Sequence, residues 1–207
     1  MAQLTGADAV AMQTCVAAGG VVLFPADTVY GLGCDAGDAV AAARLYELKG
    51  RAPAKPAAVM FFDLEPALPL LAAAGPRTTE AATALLPGAV TLLIANPRRR
   101  FAPACGPDPA TLGVRVPALP PALTALRGVA AALLQTSANH AGGPDARRLE
   151  QVPQPLREGA DLILDGGELP GTPSTVIDLR AFETSGDWRV VRDGAVPSAE
   201  IERVLER

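Results

Sequence analysis

Histidine is almost missing from this 207-residue chain: His140 stands alone. A metal site built from several imidazoles is therefore excluded. Cysteine is scarce as well. Cys15, Cys34 and Cys105 are odd in number, far apart and without metal-ligand spacing, which fits unpaired thiols in a reducing compartment. Aromatic residues make up only 4% of the chain, so no interleaved row of rings is available to stack on bases. No apolar run approaches the roughly 20 residues that a membrane-crossing helix requires. The N-terminal MAQLTGADAV lacks the basic and apolar segments of a secretory leader. The expectation is a cytoplasmic protein with no membrane partner.

A basic excess is also absent. The net charge of −4 does not suit a protein that wraps nucleic acid as its main activity. Any cationic surface must be local, and the basic residues do cluster, at Lys49, Arg51 and Lys55 and again at Arg98, Arg99 and Arg100. Two phosphate-binding signatures are missing: no GxxxxGK[ST] and no GxGxxG occurs, so neither a P-loop nor a dinucleotide fingerprint is on offer.

What the chain does hold is a core. Hydrophobic residues reach 49%, mostly Ala, Val and Leu, enough to bury a sizeable interior. The pattern predicts helices at 7–18, stopped by Gly19 and Gly20, and at 38–49, capped by Asp38. It predicts further helices at 64–74, interrupted by Pro69, at 79–86, at 121–127 and from Ser198. Strands are expected at 21–24, 57–62, 89–94, 111–116, 131–135, 162–164, 175–179 and 188–192. The stretch FPADTVYGLGCDA, residues 24–36, reads as a loop delivered by the first strand. Residues 96–109 read as an exposed, mobile connection rich in Pro and Arg. Strands alternating with helices, and no repeat or linker, predict one α/β domain over residues 1–207. Its sheet should be mixed, because the last strands follow one another without helices between them.

Four short motifs carry polar groups at predicted element ends: KGR with Lys49 and Arg51, TSAN with Ser137 and Asn139, PSTV with Ser174, and VVRDG with Arg192. Each also has a structural account. KGR closes a helix with cations where the dipole favours them. Ser137 and Asn139 can cap a turn, Ser174 can begin a strand, and Arg192 can start a turn. Collected at one sheet edge, cations and hydroxyls without a histidine pair suit a polyphosphate, whose reactions need positioning and charge stabilisation. Composition and spacing alone lead to an anion-binding α/β domain.

In order along the chain, FPADTVYGLGCDA, LKGR…KP, PGAVTLLI, TLGVRVPA, TSANHAGGPDA, PSTVID and VVRDGA resemble the YrdC/Sua5 family over about residues 8–200. The resemblance implies a YrdC-like twisted open mixed sheet flanked by helices, with a positively lined concave face, in the short single-domain form. It implies an L-threonylcarbamoyladenylate synthase, a nucleotidyltransferase that joins L-threonine, bicarbonate and ATP, with Mg2+ on the ATP phosphates and no protein metal ligands. The product would serve the N6-threonylcarbamoyl modification of adenosine 37 in tRNA.

By the same resemblance, Lys49 and Arg51 are the catalytic pair, and ATP is held by Lys49, Arg51, Thr111, Arg115, Ser137, Asn139 and Arg192. L-threonine is held by Thr28, Tyr30, Arg51, Ser137 and Ser174, with Gly31 and Gly33 letting the backbone approach the ligand. Partners would be the downstream tRNA threonylcarbamoyl-transferase complex and, weakly, tRNA or double-stranded RNA. The chain departs from many relatives at Ala26, where they carry Thr, and at Met60, where several carry His. Alternatives are a YrdC-like paralogue with another acyl-adenylate substrate, the related carbamoyl-transfer domain of hydrogenase maturation proteins, and an RNA-binding module without turnover.

Overall fold

The first two helices begin where a side chain satisfies their orphan N–H groups. The Thr5 hydroxyl accepts from Asp8 N while the Asp8 carboxylate accepts from Thr5 N at 2.7 Å, a reciprocal cap that opens α1 (Gly6–Ala17). Asp38 accepts from Val40 N and Ala41 N and opens α2 (Ala39–Lys49), which closes on the left-handed Gly50 (φ 61°). The computed structural model describes residues 3–50, 52 and 55–206.

The strands are β1 (Val22–Pro25), β2 (Tyr30–Asp35), β3 (Ala58–Met60), β4 (Val90–Ala95), β5 (Thr111–Arg115), β6 (Leu133–Ser137), β7 (Leu162–Ile163), β8 (Thr175–Asp178) and β9 (Arg189–Arg192). They form one nine-stranded sheet in the order β7-β1-β2-β6-β3-β5-β4-β8-β9. It is mixed, as expected: β1–β7, β3–β5 and β4–β8 run parallel and the remaining pairs antiparallel.

Two adjacent rows across this sheet show why it has one filled and one open face. Cys34, Leu134, Val59, Val114, Leu92 and Ile177 are successive cross-strand partners, and all six are fully buried. One residue along each strand lies the second row: Gly33, Gln135, Ala58, Gly113, Leu93 and Asp178. Because successive side chains alternate between faces, the first row packs the core. The second presents glycine and alanine at the middle of the opposite face and leaves a hollow there.

Helices α3 (Leu68–Ala74), α4 (Pro76–Leu85), α5 (Ala102–Cys105), α6 (Gln154–Gly159), α7 (Phe182–Ser185) and α8 (Ser198–Leu205) complete the structure with single-turn pieces at Glu65–Ala67 and Leu149–Gln151 and a longer 3-10 stretch at Pro121–Gly128.

Several expectations need correction. The motif at residues 24–36 is a hairpin, with only residues 26–29 as its turn and YGLGCD as strand β2. Pro69 does not interrupt a helix; it sits in the first turn of α3, where a missing N–H costs nothing. The 96–109 connection contains α5 and is tied down by buried Asn96, whose amide donates to Arg100 O at 2.9 Å and Pro109 O at 3.1 Å. Helices α6 and α7, one or two turns each, are too short to leave a readable period.

Candidate functional site

The hollow over Gly113 and Ala58 is a cleft of about 500 Å³, bordered by β3, β4, β5, β6, β8 and β9 and walled on one side by Cys105, Pro107 and Asp108. Its charged groups are Arg115, Arg180 and Arg192 against Asp108 and Asp145.

At one end lies TSAN. The Lys49 ammonium, at the last turn of α2, donates to the Ser137 carbonyl and to Asn139 Oδ1 at 2.9 Å. Ser137 Oγ donates to the same Oδ1 at 2.8 Å, and Asn139 Nδ2 donates to Gly143 O and to Asp145 Oδ1. Lys49 is 1% exposed. Burying an ammonium is costly unless acceptors replace its water, and the oxygens of residues 137 and 139 do so here. The positive charge therefore stands directly behind Ser137, which lines the cleft end, and Asn139 beside it.

Arg115, at the C-terminal end of β5, is also buried. Its Nη2 donates to Asp27 Oδ1 and to Thr28 Oγ1, both at 2.5 Å, and the second Asp27 oxygen accepts from Ala118 N. Its Nε has no hydrogen-bond partner among the described residues. An unpartnered buried donor of this kind is costly, and Arg157 Nε, outside the cleft, is another.

The far end is formed by Arg192, whose Nη2 donates to Ser174 O at 2.6 Å and approaches Ser174 Oγ at 3.3 Å. Ser174 Oγ and Thr91 Oγ1 are hydrogen-bonded at 2.8 Å, and either hydroxyl can donate. Partial burial draws the Arg192 guanidinium below the usual arginine range; Asp145 opposes that shift and Arg115 adds to it. Thr111 borders the cleft with its hydroxyl donated to Asp108 Oδ2.

The cleft thus brings together Thr111, Arg115, Ser137, Ser174 and Arg192, with Lys49, Asn139 and Thr28 bonded to its walls. Arg51 lies outside the described residues. Tyr30 is buried in β2 with its hydroxyl donated to Asp165 Oδ1 at 2.7 Å and accepting from Gly166 N; that burial and the Asp165 bond hold its phenol well above the usual range. Gly31 and Gly33 lie against neighbouring side chains. A Cβ on Gly31 would stand 2.8 Å from the Gln135 amide nitrogen, and one on Gly33 would stand 3.1 Å from the Phe24 ring. At both positions an added Cβ would crowd the protein's own packing. Ala26 and Met60 are fully buried, and neither borders the cleft.

Sequence reasoning missed Asp27, Thr91, Gln135 and Asp145. Asp27 and Asp145 lie inside quoted motifs, in FPADT and GGPDA, but their partners come from distant strands and loops. Nothing in the linear order marks them.

Comparison with known proteins places this architecture. A family model named for Sua5, YciO and YrdC, and described as telomere recombination, matches residues 14–194. The chain is 35% identical over 194 residues to the threonylcarbamoyl-AMP synthase of Pyrococcus abyssi, covering 90% of this chain and 54% of that protein. It is 36% identical over 171 residues to the threonylcarbamoyl-AMP synthase of Nitrosococcus oceani, covering 78% and 88%. Against the first of these, the chain spans about half the relative's length. The crystal structure of P. abyssi Sua5 complexed with L-threonine superposes with a TM-score of 0.82 at 32% identity, covering 98% of this chain and 58% of that one. The nine-stranded mixed sheet, the motif order and the match over residues 14–194 agree: the chain belongs to the Sua5/YciO/YrdC family.

Proposed function

We propose that this chain is an L-threonylcarbamoyladenylate synthase acting as one YrdC-like domain over residues 1–207, with MgATP, L-threonine and bicarbonate as substrates. The observation that carries the proposal is the cleft: a buried lysine behind Ser137 and Asn139 at one end, Arg192 at the other, and Arg115 between them with an unpartnered Nε. Its supports from outside the chain are the synthases of P. abyssi and N. oceani and a relative that binds L-threonine.

The chemistry balances in two steps. The threonine amine attacks bicarbonate, water leaves, and a carbamate remains. A carbamate oxygen attacks the α-phosphorus of ATP, the bond to the bridging oxygen breaks, and pyrophosphate leaves with threonylcarbamoyl-AMP as product. No protein general base is required, since the carbamate is already an anion. Arg51, Thr111 and Arg192 hold phosphate oxygens, with Lys49 and Asn139 supporting that end from behind Ser137, where positioned cations offset the charge that develops. Thr28, Arg115, Ser137 and Ser174 hold the threonine-derived group. Tyr30 serves that end by fixing strand β2 against the 165–167 turn. No three His, Cys, Asp or Glu side chains converge as a metal site among the described residues, and the Mg2+ belongs to the nucleotide, which brings it.

The product is a donor for a tRNA-modifying transferase, the partner this reading assigns. No helix among the described residues is long and apolar enough to cross a membrane.

The test is pyrophosphate release from MgATP by the purified chain, with threonine and bicarbonate present or withheld. Release that needs both, with an adenylate of the expected mass, supports the synthase. ATP turnover indifferent to threonine overturns it in favour of a paralogue with another acid substrate. Salt-sensitive RNA binding without turnover overturns it in favour of a binding module.

A further inference from the structure

A second cavity, of about 370 Å³, lies between the 96–101 loop and α3. It opens on the sheet face opposite the cleft, because Ile94 and Leu112 behind it are buried cross-strand partners that share the parity of the packed row; its accessible apolar floor is Pro66, Pro69, Leu70 and Ala73. Phe61 forms a wall and meets Phe101 edge-to-face, with ring centroids 6.4 Å apart. The volume falls within the range of small-molecule sites, and an apolar bowl with a few placed polar groups is how such sites are built.

The polar groups are guanidiniums. Arg98 and Arg100 both border the cavity, and Arg99 between them does not. The chain manages this by putting Arg99 (φ 47°) and Phe101 (φ 55°) in the left-handed region, an uncommon conformation for residues with side chains. Asn96 sustains it, its side chain bonded to both the N–H and the carbonyl of Arg100. Arg100 also lies 5.2 Å from the centre of the Phe101 ring. No ion pair to any of the three arginines occurs among the described residues, although the chain carries a net charge of −4. A loop held in costly geometry directs two uncompensated cations to the rim of an apolar bowl.

We propose that this cavity is a binding site for a small apolar acid. Its alkyl or aryl body would rest on Pro66, Pro69 and Leu70, and its carboxylate or sulfonate would meet Arg98 and Arg100. Charge complementarity selects the anion, and the apolar floor selects the body. A nucleic-acid backbone would engage the arginines and leave that floor uncovered. The inference goes beyond the synthase reading, since none of these residues has a part in the cleft chemistry.

The probe is 8-anilinonaphthalene-1-sulfonate, titrated by fluorescence against the full chain. The expected result is saturable one-to-one binding that weakens about tenfold in Arg98→Ala and again in Arg100→Ala, the loss anticipated for one charged hydrogen bond each. Ala73→Phe, which fills the cavity from α3, should abolish the signal while pyrophosphate release persists. Decanoate and phenylacetate serve as competitors, and whichever displaces the dye identifies an alkyl or an aryl acid. Equal affinity in both arginine variants overturns the proposal. So does dye that ATP displaces fully and Ala73→Phe does not affect, because the dye then sits in the cleft. Displacement by a single-stranded oligonucleotide, but by neither acid, overturns it as well.

Discussion

The Lys49 ammonium donates to Asn139 Oδ1 at 2.9 Å across 90 residues of chain. This contact joins the C-terminal turn of α2 to the loop after β6 and sets a buried charge behind the end of the cleft. Lys49→Ala should reduce pyrophosphate release by about 10²–10³-fold, the usual effect of removing one positioned donor. It should also lower stability by about 1–3 kcal/mol, because the Ser137 and Asn139 oxygens lose their charged donor. Lys49→Arg should not rescue activity, since a planar fork does not fit a slot shaped for an ammonium. Near-normal turnover by purified Lys49→Ala would remove the residue from the site.

Asp27 and Arg115 form a buried ion pair at 2.5 Å. Asp27→Asn leaves a guanidinium without its counter-charge and should cost about 3–5 kcal/mol in urea unfolding. The double variant Asp27→Asn, Arg115→Met should recover a large part of that loss. If the double variant is as unstable as the sum of the single ones, the two residues are not coupled.

The cleft is open because its floor is small. A Cβ at Gly113 would lie 3.4 Å from Ala58 Cα and 3.5 Å from Ala57 O, ordinary contact distances, so Gly113→Ala should fold normally. Ala58→Leu should also fold, its side chain entering the empty cleft. Binding of a fluorescent ATP analogue should weaken in the first and fall at least about tenfold in the second. Unchanged affinity in both variants would mean that the nucleotide binds elsewhere.

Asp178 reports acid stability. Hydrogen bonds from Arg180 chiefly, with Arg189, hold its carboxyl at about 2 against the ordinary 3.8. The folded pKa is depressed, so the contribution is present above 3.8 and is lost as pH falls from there toward 2. Its size is roughly 1–2 kcal/mol once solvent screening at the exposed arginines is allowed for. The stability gap between wild type and Asp178→Asn in urea unfolding should therefore narrow over that interval. A gap that stays constant with pH would show that the arginine contacts do not set the carboxyl's titration.

Much of the architecture was legible in the chain. Asp38 announces its helix, and the apolar runs at 89–94, 111–116 and 131–135 announce central strands. The YGLGCD segment was not legible as a strand, because two glycines mimic a loop. Its pairing with β1 on one side and β6 on the other makes it extended. The 96–109 connection reads as mobile because Pro and Arg dominate it, yet buried Asn96 bonds across it and the Tyr46 hydroxyl and Ala57 N–H donate to Pro103 O and Ala104 O.

The sequence by itself determined the mixed α/β class, the cationic and hydroxyl motifs and their order, since periodicity, caps and residue chemistry are local properties. Only the tertiary structure decided that Arg115 is held by Asp27 and Thr28, that Tyr30 is tied to the 165–167 turn, and that Gly113 beside Ala58 hollows the sheet. The reason is register. Cross-strand neighbours are set by how distant strands align, and a shift of one residue would exchange the packed row for the open one.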